Sequence, residues 1–285
     1  MGAQDMSNRR KSASLHPLTV VEYAGFILLA LVCLLPFALM LLNATQSHAD
    51  LSTGLNLLPG TSLVHNYKTL VSEMNIWKNM LNSLIIAVPG VVLTAYFGTL
   101  AAYGFEKFHF PCKGLLFGVS MSMMIIPPQI SLIGLYQIYA DVNLLNTYWS
   151  CILPSIANVL TVYWMRGHIY QVIDDAILES ATIDGCSEWG IFNRIVLPLC
   201  RPGIMTISIM NFVSLWNDFI NPLTYITNKQ MYPLPVAIAN LKSQDFFDLG
   251  ANYVAVALST LVIVVIYLVF NAQIVGNIAE GGVKG

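Results

Sequence analysis

Asp218 is the one carboxylate embedded in an apolar stretch of this 285-residue chain. Placing a charge at the centre of a membrane helix costs about 2.5–3.5 kcal/mol on insertion scales. Asp218 therefore has to sit near an end of its stretch, pair with a neighbour, or face a wet cavity. Two readings stand side by side: a structural polar cluster with Asn217 and Asn221, or a place on a solute pathway shared with Trp216 and Asn217. Trp216 and Tyr225 carry ring faces able to stack on a sugar, although aromatic residues near a membrane interface are usually belt residues.

Chemistry by the chain itself has less to work with. A phosphate-cradling loop needs GxxxxGK[ST], and no Gly-Lys dipeptide occurs. His16, His48, His65, His109 and His168 are scattered over polar segments without the spacing of metal ligands. The 5 cysteines show no paired spacing, against a disulfide framework or a zinc site. They read as small, free, mostly buried thiols.

The distribution of charge defines the elements that must position Asp218. Only 10% of residues are charged and 56% are hydrophobic, against about 25% charged in soluble domains. A formal net charge of −2 gives no footprint for nucleic acid. Uncharged runs of 27 residues separate Glu22 from Asp50, Lys78 from Glu106 and Lys113 from Asp141, and 24 separate Asp141 from Arg166. Another 16 separate Arg201 from Asp218, continuing to Tyr225, and 31 separate Asp248 from Glu280. A span needs about 20 mostly apolar residues, so the expectation is an all-α integral membrane protein. Six transmembrane helices are predicted, over 23–43, 79–103, 114–138, 148–166, 203–225 and 251–272.

With the N-terminus inside, the inner segments hold nine lysines and arginines and the outer segments four, Lys68, Lys78, Lys229 and Lys242. The positive-inside rule then puts both termini in the cytoplasm of a multi-pass inner-membrane protein. This divides the chain into an N-terminal segment, 1–18, a six-helix domain, 19–275, and a tail, 276–285. Pro36, Pro89, Pro127 with Pro128, Pro154 and Pro222 fall in five of the six spans, either as ordinary kinks or as marks of a moving cavity wall. Gly114 and Gly118 form a GxxxG pair suited to close helix contact.

The longest inner connection, 167–201, is unlike a passive linker. Val172, Ile173, Ala176, Ile177 and Ser180 share one helical face, with Asp174, Asp175, Glu179 and Thr182 largely elsewhere. Gly185 suits a chain reversal. Ser187 can cap a second short helix with Glu188 in its first turn. Trp189, Phe192, Ile195 and Val196 give that helix an apolar face, and Pro198 is expected to end it. Such a helix–turn–helix either lies passively on the bilayer or bundle, or acts as a lever.

The order Glu179-Ser180-Ala181, three residues, Gly185, nine residues, Ile195-Val196-Leu197-Pro198 resembles the signature loop of ATP-binding-cassette importer permeases, EAA-x3-G-x9-I-x-LP. It departs from that pattern only at Ser180, which remains small. Asn82-Ser83-Leu84, Ala101-Ala102-Tyr103, Trp216-Asn217-Asp218-Phe219 with Pro222-Leu223, and the ending Gly281-Gly282-Val283-Lys284-Gly285 are similar to the maltose-type carbohydrate permeases, the smaller subunit above all.

The resemblance implies a type I importer permease fold and a non-enzymatic subunit, half of an alternating-access pathway for a mono- or oligosaccharide. It implies partners: a second related permease, two ATPase subunits that bind ATP and magnesium, and an extracytoplasmic solute-binding protein. Glu179, Ser180, Ala181, Asp184, Gly185, Ile195, Leu197 and Pro198 would couple to the ATPase, and Gly282, Val283, Lys284 and Gly285 would reach it as a tail. Other solutes, such as polyamines or phosphate esters, share the same loop. An ion-coupled secondary transporter would have Asp218 alone as a relay and would leave the loop unexplained.

Overall fold

The computed structural model describes residues 17–54, 56–241 and 248–281, and every regular element among them is helical. The expected N-terminal segment falls almost wholly outside the described residues, and Gly282, Val283, Lys284 and Gly285 lie outside them too. The chain opens with α1 (Pro17–Ala44), α2 (His48–Thr53), α3 (Leu63–Glu73) and α4 (Ile76–Lys107). The middle carries α5 (Lys113–Ser122), α6 (Pro128–Asp141), α7 (Trp149–Ile156) and α8 (Val159–Val172). Then come α9 (Asp175–Ile183), α10 (Glu188–Ile191), α11 (Leu197–Leu199) and α12 (Arg201–Trp216). The last three are α13 (Ile220–Tyr225), α14 (Leu234–Leu241) and α15 (Leu249–Gly281), which runs into the tail expected from 276.

The central element is α4. The Asn75 side chain caps its start by accepting from the Lys78 amide at 3.1 Å, and Lys107 stands in its last turn, where the helix dipole favours a cation. Its sides pack on α7, α8 and α12. Gly98 makes the α8 contact possible, because a Cβ there would lie 2.6 Å from Thr161 Cγ2. Asn79 and Asn82 donate to the Tyr232 carbonyl at 2.8 and 3.1 Å, and the Ser83 hydroxyl accepts from the Leu234 amide. The Asn82-Ser83 pair thus ties the start of α14 to α4.

Three apolar clusters follow. Phe212, Trp216, Leu234 and Ala255 pack with Leu70 and Ile76 where α3, α4, α12, α14 and α15 meet. Met165, Ile169, Ile173, Phe192, Val196 and Ile207 join the 167–201 segment to α4 and α8. Ile86, Tyr139, Cys151 and Tyr225 join α4 to α6, α7 and α13. By contrast α1 packs mainly on α15, and its apolar side chains from Val21 to Leu35 stand exposed, as a lipid-facing helix would.

Of the six expected spans, three are single helices and three are interrupted. Three helices are long and apolar enough to cross a membrane, within Val21–Ala44, Ile76–Lys107 and Leu249–Phe270. Two further pairs are bent, Lys113–Ile125 with Pro128–Asp141 by 101° and Glu188–Leu199 with Arg201–Trp216 by 77°. Prolines explain one break: Pro127 is extended (ψ 126°) before Pro128, which opens α6. The run 148–166 is interrupted between α7 and α8, where extended Asn158 starts a new helix by accepting from the Thr161 amide. The run 203–225 is interrupted after Trp216. Pro36 and Pro89 lie inside helices that continue through them.

Other expectations also change. The second helix of the segment passes through a π-helical stretch at Phe192–Val196 and ends at Leu199, one residue past Pro198. A Cβ on Gly114 or Gly118 would meet nothing within 4 Å, so the GxxxG pair makes no close helix contact among the described residues. Of the free cysteines, Cys151 and Cys200 are buried while Cys33, Cys112 and Cys186 are exposed.

Candidate functional site

Residues 167–201 form an elbow whose stops and starts are written in capping chemistry. The Asp174 carboxylate accepts from the Ala176 amide at 3.1 Å and opens α9. At the far end Gly185 adopts φ +80°. The Gly185 amide bonds the Thr182 carbonyl and the Cys186 amide bonds the Ala181 carbonyl, both at 3.0 Å. That pair of bonds is a Schellman closure, which a glycine serves without Cβ strain. Ser187 then caps α10, its hydroxyl accepting from the Gly190 amide at 3.2 Å.

The closure decides which side chains face outward. Ala181 is buried against the Ile173–Phe192–Val196 cluster, with Leu178 packed beside it. Ala176, Ile177, Glu179, Ser180, Asp184 and Gly185 are exposed, and Ile183 is 86% exposed. An isoleucine so bare at the end of a short helix leaves an apolar face with a carboxylate beside it and no cover from the chain. On the second limb Ile195 and Leu197 are half-buried and Pro198 is exposed.

The elbow is fastened to the end of α4 by two adjacent charges that sequence reasoning missed. Lys107 Nζ donates to the Ile173 carbonyl at 2.7 Å and to Asp175 Oδ1 at 2.6 Å. Arg166 Nε donates to Glu106 Oε2 at 2.8 Å, and its guanidinium lies 4.3 Å from the Phe117 ring centroid. The available signal was the Glu106-Lys107 pair closing a 27-residue uncharged run. Burial lowers the pKa of His168, whose ring stacks on Trp164 at 5.6 Å.

A second polar region lies where two helices break. Asp218, Asn221, Ser214, Asn211, Asn158 and Thr94 line a cleft of about 250 Å³. Asp218 accepts from the Asn221 amide at 3.3 Å and from its side-chain Nδ2 at 2.8 Å. Asn217 is exposed and bonds back to the Val213 carbonyl. Trp216 departs from the pathway expectation: it is fully buried, stacks on Phe212 and donates its indole N–H to Ser259 Oγ at 3.1 Å. Tyr225 is buried as well. Asn158, Asn211 and Ser214 were not anticipated, since isolated amides and hydroxyls in apolar runs carry no spacing signal.

Residues 94–278 match the family described as binding-protein-dependent transport system inner membrane component. The chain is 27% identical over 277 residues to the diacetylchitobiose uptake system permease protein of Streptomyces coelicolor, covering 96% of this chain and 91% of that one. It is 30% identical over 268 residues to the arabinooligosaccharides transport system permease protein of Bacillus subtilis, covering 91% and 94%. The melibiose/raffinose/stachyose import permease protein of Bacillus subtilis is 28% identical over 253 residues, covering 88% and 91%. In fold the chain is similar to a bacterial ABC transporter involved in import of the acidic polysaccharide alginate, with a TM-score of 0.74 and 19% identity over 90% of this chain and 95% of that one.

Proposed function

The chain belongs to the family of binding-protein-dependent transport system inner membrane components, and from that premise we propose that it is the permease subunit of an ATP-driven carbohydrate importer. The family makes it an integral membrane permease, and the relatives it resembles are permease proteins rather than ATPases. The finer reading has six apolar runs crossing the membrane, three of them broken, with both termini cytoplasmic. A second related permease completes the pathway, two ATPases hold ATP and magnesium, and an extracytoplasmic binding protein delivers the sugar.

The observation that carries the coupling role is the outward face of α9. A short helix closed at both ends by its own caps is stiff, and its exposed Ile177, Ser180 and Ile183 beside Glu179 suit a cleft on a partner. The inward Ala181 transmits displacement to the cluster around Phe192 and so to α4, α8 and α12. The chain's own part is mechanical: ATP-driven closure pulls on α9, and the packed cluster passes that motion to the spans.

The test is affinity purification of the tagged chain from native membranes in mild detergent, with mass spectrometry of its companions. Recovery of an ATP-binding-cassette ATPase and a second permease is expected. In a Gly185→Asp sample the ATPase should fall away while the second permease stays, because a residue with a Cβ at positive φ costs roughly 1–2 kcal/mol and opens the closure. Recovery of the chain alone in both samples would overturn the importer reading. Equal recovery of the ATPase in both would overturn the role of α9.

A further inference from the structure

We propose that the cleft between the two helix breaks is a carbohydrate-hydroxyl subsite, with Asp218, Asn221 and Ser214 as the groups that meet the sugar. The inference rests on the importer reading and adds to it a contact surface in this subunit.

The starting point is which polar groups of the cleft already have partners. Thr94 Oγ1 donates to the Ser155 carbonyl at 2.8 Å, and Ser155 Oγ donates to the Ile152 carbonyl at 2.7 Å. Asn158 Oδ1 accepts from the Thr161 amide at 2.9 Å, and its Nδ2 reaches Asn211 Oδ1 at 3.3 Å. Asn211 Nδ2 donates to Thr161 Oγ1 at 3.0 Å. Thr94, Ser155 and Asn158 bond backbone groups around the break between α7 and α8, where lipid offers no substitute, and Asn211 braces Asn158 and Thr161. Their presence is explained by the fold.

The α12–α13 side of the cleft differs. Asp218 accepts two bonds from Asn221 and one from the Ile220 amide, fewer than its two oxygens can take, so acceptor capacity stays open. Asn221 uses its donors on Asp218 and leaves its Oδ1 free of partners among the described residues. The Ser214 hydroxyl is exposed to the cleft and makes no hydrogen bond among the described residues. The Asp218 carboxylate and Asn221 Oδ1 accept, and the Ser214 hydroxyl both donates and accepts.

That set matches adjacent sugar hydroxyls, each of which is at once a donor and an acceptor. Beside Cys151, Pro154 and Leu215, the lining offers one carboxylate and neutral amides and hydroxyls. A metal ion or a polycation would call for a second acidic group there, and a phosphate ester would be repelled by Asp218. An intramembrane carboxylate kept at a helix break, with its acceptors turned to a cleft, is the pattern of a solute pathway.

The experiment reconstitutes the whole complex with its binding protein in proteoliposomes and follows ATP-driven uptake of labelled pentose and hexose oligosaccharides with their monodeoxy analogues. Wild-type import of none of them would overturn the importer reading and the subsite with it. Given wild-type import, Ser214→Ala is expected to slow uptake about fivefold and Asp218→Asn about ten- to a hundredfold, following the loss of a neutral and a charged hydrogen bond. Asp218→Asn keeps an acceptor for the Asn221 amide, so the α13 entry survives. The decisive reading is the ratio of parent to deoxy sugar. Ser214→Ala should abolish discrimination against one deoxy position, which a merely structural serine would leave unchanged. Wild-type ratios in both variants would overturn the subsite. So would uptake that follows a sodium or proton gradient and loses that dependence only in Asp218→Asn.

Discussion

At the elbow, charged side chains tie whole elements together, whereas at the cleft, neutral side chains stand in for missing backbone partners. Lys107 and Arg166 reach across from α4 and α8 to a carbonyl and carboxylates, with Lys107 and Glu106 largely buried and Asp175 exposed. Asn158, Asn211 and Thr94 make short neutral bonds inside a packed bundle. The elbow is built to move as one piece with the end of α4. The cleft is built so that two helices can stay broken within an apolar zone. On the proposed reading, stiffness lies where an ATPase would push and irregular backbone where solute would pass.

The largest effect tests the fastening of the elbow. The Lys107 side chain is 11% exposed while that of Asp175 is 76% exposed. The bond from Lys107 to the Ile173 carbonyl should therefore matter more than the ion pair. Lys107→Met is expected to cost about 1.5–3 kcal/mol of elbow docking, and Asp175→Asn about 0–1 kcal/mol. In the reconstituted complex Lys107→Met should raise the ATP hydrolysed per sugar imported roughly tenfold, with Lys107→Arg largely restoring the ratio. Equal effects of Lys107→Met and Asp175→Asn would show that the surface ion pair is the fastening.

The elbow was far more legible in the amino-acid sequence than the cleft, for a physical reason. Ser187 acts on an amide three residues away and Gly185 on its own φ, so type and spacing reveal them, whereas Asp174, expected on the polar side of the helix, caps it instead. The apolar runs around α1, α4 and α15 were equally plain. The break at Asn158 was not, because its bracing depends on contacts 53 and 61 residues distant in sequence, Asn158 with Asn211 and Thr94 with Ser155. Hydropathy averaged over a window passes over a single amide. The same distance hid Lys107, whose partners lie 66 and 68 residues onward.

A smaller effect sharpens the boundary of the cleft. Trp216 sits beside Asp218 in sequence but donates into the core, to Ser259 of α15. Ser259→Ala would leave a buried indole N–H unpaired and should cost about 1–3 kcal/mol. The purified complex should melt at a lower temperature, yet its parent-to-deoxy sugar ratio should stay that of wild type. A changed ratio would extend the sugar-facing surface to α12's buried side and undo the separation of brace from cleft.

The smallest expected effect concerns His168, which ties the elbow cluster to α12 through its packing against Gly203. Its Nε2 is buried without a partner among the described residues, and burial favours the neutral ring, lowering its pKa below the ordinary 6.5. A group whose protonation is disfavoured in the fold contributes stability above its unfolded pKa and loses it as pH falls toward the folded one. The wild-type complex should therefore lose melting temperature as pH drops from about 6.5, and His168→Phe should flatten that dependence. Because Asn158, Asn211 and Thr94 do not titrate, acid should loosen the elbow while the bracing of the break at Asn158 holds. Loss of both together would mean that the two regions are one cooperative unit, and that α8 transmits disorder from its elbow end to the break at Asn158.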